Sequence, residues 1–276
     1  MSGTLYLVGT PIGNLGDISP RALETLQTVD FVAAEDTRVS GKLLNYFEIK
    51  KPLVSYHEHN RASAGARILE RLLAGESCAL VTDAGMPAVS DPGEDLVRQC
   101  AEAGVTVASV PGPCAAVTAL AMSGLPTGRF CFEGFLSVTK GKRLAHLESL
   151  RDEKRTMIFY EAPHKLLRTL QDMYEAFGDR QLALCREMTK LHEECIRTTL
   201  AVAAARYAEE TPRGEFVLIV AGTPEESGPA VTQEEALRLV AQYRAEGRPL
   251  KEACRMAAAE TGFAKNELYS LAVEQD

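Results

Sequence analysis

Leu5-Tyr6-Leu7-Val8-Gly9-Thr10-Pro11-Ile12-Gly13-Asn14 is an apolar run of strand composition that passes directly into a loop of small residues. A strand ending in such a loop exposes backbone N–H donors, and open α/β sheets bind ligands at this edge. The loop has neither the Gly-x-Gly-x-x-Gly order of a dinucleotide fingerprint nor the Gly-Lys-Ser/Thr ending of a P-loop, which points away from nicotinamide and nucleoside triphosphate ligands.

Downstream, apolar runs at Phe31–Ala34, Leu53–Tyr56, Cys78–Thr82 and Val105–Val110 alternate with helical patterns near 19–28, 38–47, 61–74 and 91–103. This order predicts a mostly parallel sheet covered on both faces. The loops that should follow its strands carry Glu35-Asp36-Thr37-Arg38, Asp83-Ala84-Gly85-Met86-Pro87 and Pro111-Gly112-Pro113, so several polar turns converge on one edge. Each also has a purely structural reading, since Gly and Pro are ordinary turn residues and Asp91 before Pro92 can cap a helix.

After Pro113 the pattern changes. A small-residue helix at Cys114–Met122 leads into strand-like runs at Phe130–Phe132, Arg155–Glu161, Leu182–Arg186, Ile196–Thr199 and Phe216–Ala221, with helices near 140–150, 163–176 and 200–209. A mixed α+β domain is expected over 113–222, behind an α/β domain over 1–112. Linker composition at Thr223–Ala230 precedes helical patterns at 232–246, 249–260 and 265–272, the last two joined by Thr261-Gly262 as in a helix-turn-helix. This tail, 223–276, holds six Lys/Arg against ten Asp/Glu, a poor balance for phosphate, so packing or dimerisation is an equal reading.

With 276 residues, 46% of them hydrophobic, the chain can fill two sizeable cores. No apolar run approaches the roughly 18 residues of a membrane helix, and no signal core opens the chain, so a cytoplasmic protein is expected. Seven scattered cysteines, never spaced Cys-x-x-Cys, argue against a disulfide framework or structural zinc, and His57-Glu58-His59 lacks a third ligand group; no metal is expected. A net charge of −8 gives no global attraction to nucleic acid. The local exception is Lys140-Gly141-Lys142-Arg143 with His146, Arg151, Lys154 and Arg155, readable as an RNA-binding stretch or a solvated helix face.

Taken together, GTPIGN at 9–14, EDTR at 35–38, YHEHN at 56–60, VTDAGMPAVSDPG at 81–93, PGPCAA at 111–116, FEGF at 132–135, FYEAPHKLLRTL at 159–170 and REMTK at 186–190 resemble the bacterial small-subunit ribosomal RNA cytidine 2′-O-ribose methyltransferases, within the tetrapyrrole-methylase-like superfamily. The resemblance implies a two-domain α/β fold, with an N-terminal mostly parallel sheet, a C-terminal mixed domain and a helical tail. It further implies S-adenosylmethionine as cofactor, a cytidine in the decoding centre of 16S ribosomal RNA as target, and a homodimer.

The same motifs assign Pro11, Ile12, Met86, Pro87, Val89, Cys114, Ala115, Tyr160, Glu161, Glu187 and Gly214 to the cofactor. Arg38, Lys165 and Arg186, with Lys140, Lys142 and Arg143 of the basic stretch, are assigned to RNA. Lys165 stands where the motif usually has arginine, which keeps the charge and loses a bidentate phosphate contact.

A ribose hydroxyl is a weak nucleophile, so a group within about 3 Å must take its proton. Glu35, Asp36, Asp83, Asp91, Glu161 and Glu187 are candidates, with Lys190 a further one if its pKa is depressed. Glu161 and Asp36 are favoured, the alternative being that they orient Arg38, Arg186 or the cofactor by charge-assisted hydrogen bonds. Two other activities remain open: a tetrapyrrole methylase, which would need a large apolar trough, and a non-catalytic ribosome-associated protein that binds the same cofactor.

Overall fold

A computed structural model describes residues 2–224 and 232–275 of the chain. β1 (Thr4–Val8) is followed by α1 (Pro20–Thr28), β2 (Phe31–Ala34), α2 (Thr37–Tyr46), β3 (Leu53–Ser55), α3 (Arg61–Leu73), β4 (Cys78–Val81), α4 (Gly93–Glu102) and β5 (Thr106–Val110). The five strands form one parallel sheet in the order β3-β2-β4-β1-β5. Every residue of β2 and β4 is buried, as expected of strands covered on both faces, which is why they read as unbroken apolar runs. One face packs Leu5, Phe31 and Leu80 against α3 and α4; the other packs Val8, Val32 and Val81 against α1 and α2. Ser19 starts α1 by accepting a hydrogen bond from the Ala22 N–H at 3.1 Å, ahead of Pro20 in the first turn.

α5 (Ala115–Ser123) opens the second half. β6 (Phe130–Phe135), α6 (Lys140–Ser149), β7 (Thr156–Glu161), α7 (Leu166–Phe177), β8 (Gln181–Arg186), β9 (Glu194–Thr199), α8 (Leu200–Glu209) and β10 (Phe216–Val220) follow. Their sheet runs β6-β7-β10-β8-β9, with only β6 and β7 parallel. Ala116, Ala119 and Leu120 of α5 cover one face, on Ile158, Ala183 and Ile219; α6, α7 and α8 cover the other.

The sequence predicts these elements to within a few residues at each end. It does not reveal that β6 continues through Gly134 to Phe135, across a register shift between Phe132 and Gly134.

The chain falls into two compact units, Met1–Thr223 and Pro224–Asp276. The second contains α9 (Gln233–Ala245), α10 (Leu250–Thr261) and α11 (Lys265–Gln275) around Ala236, Val240, Ala253, Cys254, Ala257 and Leu268. Thr232 and Glu235 form a reciprocal capping box on α9, and Gly262 ends α10 in the left-handed conformation. Most of the linker stretch, 225–231, lies outside the described residues.

Within the first unit the chain segments leaving the carboxyl ends of the neighbouring strands β1 and β5 approach each other closely. A Cβ on Gly9 would stand 2.7 Å from the Gly112 Cα, and one on Gly112 would stand 2.9 Å from the Gly9 backbone. Backbone cannot yield as a side chain can, so only two glycines permit this crossing.

Candidate active site

Where the two sheets face each other, a cleft of about 510 Å3 opens, lined by the turns after β1, β2, β4, β5 and β7 and by the segment after β8. Thr10 and Gly85 exchange both backbone hydrogen bonds, at 3.0 and 3.1 Å, tying the first of these turns to the third. The Asp91 carboxylate accepts from the N–H groups of Ala88, Val89 and Gly93 at 2.7–3.3 Å and shapes the turn that holds Val89. The N-cap position of α4 is Pro92, so Asp91 orders the turn ahead of that helix and bonds its first N–H at Gly93, while it also lines the cleft.

Five residues other than glycine have positive φ among the described residues. Ala88 and Ser90 lie in one cleft turn, Glu187 and Thr189 in another, and Glu48 follows α2. Each such conformation costs about 1–3 kcal/mol and persists only where the surroundings enforce it. Four of them therefore mark the cleft turns as over-determined.

The charge pattern of the cleft is lopsided. Glu35, Asp83, Asp91, Glu161, Glu187 and Glu215 line it against one cation, Lys190. Lys190 Nζ donates to Glu187 Oε1 at 3.0 Å, and this bond holds the Glu187 carboxyl below its ordinary range. Glu35 behaves oppositely. Burial raises its pKa, the Thr82 hydroxyl donating at 3.0 Å opposes that rise, and Asp83 and Asp91 add to it.

The two proton acceptors favoured from the sequence, Glu161 and Asp36, are engaged elsewhere. Glu161 is 3% exposed, its Oε1 accepting from the Ala162 N–H at 2.9 Å and its Oε2 from the Thr169 hydroxyl at 2.5 Å. Asp36 does not line the cleft. Its carboxylate caps α2 through the Arg38 N–H at 2.8 Å and pairs with the Arg38 guanidinium at 2.6 Å, chiefly through which its pKa is lowered. The Asp36 N–H donates to Asp83 Oδ1 at 3.1 Å.

Of the residues assigned to a cofactor, Ile12, Met86, Val89, Cys114, Ala115, Tyr160, Glu161 and Glu187 line the cleft. Cys114 is the N-cap of α5, and the Tyr160 hydroxyl accepts from the Ala116 N–H at 3.1 Å, its pKa pushed up to about 12 mainly by burial. Pro11 lines a neighbouring cavity instead, and Pro87 lies in the same turn as Met86 without lining the cleft. Gly214 acts from behind: its φ is +82°, and a Cβ there would stand 2.5 Å from Glu187 Oε1.

The motifs left Phe135, Met188, Phe216 and Val217 unassigned, although all line the cleft. Phe135 falls within the FEGF motif and Met188 within REMTK, and the Phe135 ring meets Tyr160 edge-on at 5.4 Å, whereas Phe216 and Val217 carry no signal beyond being apolar.

Among the residues assigned to RNA, Arg38, Lys140 and Lys142 are exposed, and Lys165 and Arg186 half-buried, Arg186 paired with Glu194 at 2.7 Å. Arg143 must be corrected. It is 2% exposed, its Nε donating to Asp172 at 2.6 Å and its Nη1 to the carbonyls of Ser137 and Val138, so it ties α6 to α7 and cannot meet a phosphate. His146, Arg151 and Arg155 are likewise paired, with Glu133, Glu148 and Glu153. Much of the basic stretch is thus neutralised within the fold.

Among the described residues no cluster of three or more His, Cys, Asp or Glu could hold a metal ion, and no helix is long and apolar enough to cross a membrane.

Residues 4–204 match the family described as Tetrapyrrole (Corrin/Porphyrin) Methylases, which sets the class of the protein as a methyltransferase. The fold agrees with a crystal structure of the methyltransferase CobJ, at a TM-score of 0.60 and 20% identity over 83% of this chain and 98% of that one. Residues 230–276 match the RsmI C-terminal HTH domain.

Ribosomal RNA small subunit methyltransferase I of Synechocystis sp. is 50% identical over 273 residues, covering 99% of this chain and 98% of that protein. The protein of the same name from Halalkalibacterium halodurans is 48% identical over 98% and 94%. The chain belongs to the ribosomal RNA small subunit methyltransferase I family.

Proposed function

We propose that the protein transfers a methyl group from S-adenosylmethionine to the ribose 2′-oxygen of a cytidine in the decoding centre of 16S ribosomal RNA, acting in the cytoplasm as a homodimer on the small subunit or its RNA. The observation that carries the reading is the charge of the cleft. Six carboxylates against one ammonium suit a cationic donor and repel phosphate, which leaves the polyanionic substrate to the rim. The volume is that of a ligand pocket, and Ile12, Val217 and Met188 supply apolar wall.

Ile12, Met86, Val89, Cys114, Ala115, Tyr160 and Glu187 would hold the donor, with Gly214 fixing Glu187 from behind and Pro11 and Pro87 stiffening the turns on either side. When bound, the sulfonium supplies a methyl carbon that is already electrophilic. The chain's own contribution is placement, for which two walls formed by residues 1–112 and 113–222 are suited; orientation can contribute about 7–11 kcal/mol.

Glu35 is the proton acceptor that the geometry favours. It faces the cleft, it has a raised pKa, and Thr82 engages one of its oxygens. Glu161 would have to give up Thr169 or Ala162, Lys190 would have to leave Glu187, and Asp36 points to Arg38. Arg38, Lys140, Lys142, Lys165 and Arg186 are the cations left to meet RNA phosphates outside the acidic cleft. The test is incubation of purified protein with methyl-labelled S-adenosylmethionine and small subunits lacking the modification. Label in a ribose of one cytidine is expected, and unlabelled RNA would refute the reading.

A further inference from the structure

A second cavity, of about 470 Å3, runs along α2 outside the cleft, and Thr82 and Asp83 line both, so the two share a wall. α2 carries Arg38, Lys42 and Tyr46 four residues apart, which places them on one helix face. At 1.5 Å per residue this row leads about 12 Å outward from the rim of the cleft.

Tyr46 is 65% exposed and, with Lys42, lines the cavity; Leu15 and Val39, 39% and 41% exposed, provide apolar surface beside it. Phe47 meets the Tyr46 ring edge-on at 4.9 Å. Lys42 is exposed and enters no ion pair among the described residues. An exposed ring, apolar surface and an unpaired ammonium form the combination on which an unstacked base and its phosphate dock. The acidic cleft next door also exposes a ring, Phe135, but its one cation, Lys190, is paired with Glu187.

We propose that this groove seats a nucleotide flanking the methylated one, its base against Tyr46 and its phosphate at Lys42. The groove thereby sets which strand segment presents its ribose to the cleft. The inference rests on the ribosomal RNA reading above.

Its test compares Tyr46→Ala, Tyr46→Phe and Lys42→Ala in labelled methyl transfer to unmodified small subunits, with binding of S-adenosylmethionine measured separately by calorimetry. Tyr46→Ala should raise the KM for the subunit about tenfold, as loss of one stacked base does, with kcat and cofactor affinity unchanged. Tyr46→Phe, which keeps the ring, should restore KM, and Lys42→Ala should raise KM and flatten its salt dependence.

An unchanged KM in Tyr46→Ala while the wild type labels RNA would overturn this inference alone, as would a matching fall in cofactor affinity. Absence of any label from the wild type would overturn the ribosomal RNA reading and this docking with it.

Discussion

Thr82→Val would remove the hydroxyl that donates to Glu35 at 3.0 Å while keeping the shape of a side chain only 9% exposed. A hydrogen bond to a charged group contributes about 1.5–3 kcal/mol, and one pKa unit corresponds to about 1.4 kcal/mol. For a carboxylate that is only half-buried, the lower figure applies after allowance for solvent screening, so losing the bond should cost the carboxylate about 1.5 kcal/mol and raise the Glu35 pKa further. The sign follows from which form the bond favours: Thr82 stabilises the carboxylate, so its loss lets Glu35 protonate at higher pH.

Because the carboxylate is the form that accepts the ribose proton, the acid limb of kcat/KM for RNA should move to higher pH, with the plateau above it unchanged. Glu35→Gln should lower the plateau rate by about 10²–10⁴ and remove the acid limb. Its stability makes the needed control. A carboxyl whose pKa is raised by folding contributes stability that is full below the unfolded value and lost as pH rises through the folded one, so at neutral pH the charged group opposes folding. Glu35→Gln should therefore be at least as stable as the wild type at pH 7, and lost activity could not be assigned to unfolding. The reasoning fails if the acid limb of Thr82→Val superimposes on that of the wild type, or if Glu35→Gln keeps more than about a tenth of the activity.

Asp172→Ala would leave the Arg143 guanidinium buried without its carboxylate, at a cost of about 3–5 kcal/mol in urea unfolding, and a loss below about 1 kcal/mol would contradict the buried pair. Replacing both partners by Arg143→Met and Asp172→Leu should cost less than the single change, because no orphaned charge remains. Gly214→Ala imposes about 1–2 kcal/mol of left-handed strain and displaces Glu187 together with Lys190. Calorimetry should then show S-adenosylmethionine binding about tenfold weaker in a folded protein, a change of about 1.4 kcal/mol, and unchanged affinity would remove Glu187 from the donor site.

The strands were legible because a strand covered on both faces must be apolar throughout, and Phe31–Ala34 and Cys78–Val81 announce that in four residues each. The turns were legible as binding turns only as a set converging on one sheet edge, since Gly, Pro and Asp in any one of them also serve as ordinary turn and capping residues. Arg143 was misread for the opposite reason. Lys140-Gly141-Lys142-Arg143 looks uniformly exposed, and what buries its last member is Asp172, 29 residues away on another helix. The Glu133–His146 contact spans 13 residues and was hidden in the same way, whereas Glu148 and Glu153 lie within three residues of the arginines they pair with.

Composition, periodicity and motif order were enough to establish two differently built sheets, a helical tail and membership in a methyltransferase family, since each depends on residue types a short distance apart. The choice between Glu35 and Asp36 belonged to the tertiary structure. The parallel register that sets Ala34 against Val81 carries on past the strand ends, delivering Glu35 to the Thr82 hydroxyl and the Asp36 N–H to Asp83. Two adjacent acids with the same chemistry thus acquire opposite pKa shifts, one desolvated in the cleft and the other ion-paired at its rim, because a side chain's electrostatics are set by neighbours that folding brings from elsewhere in the chain.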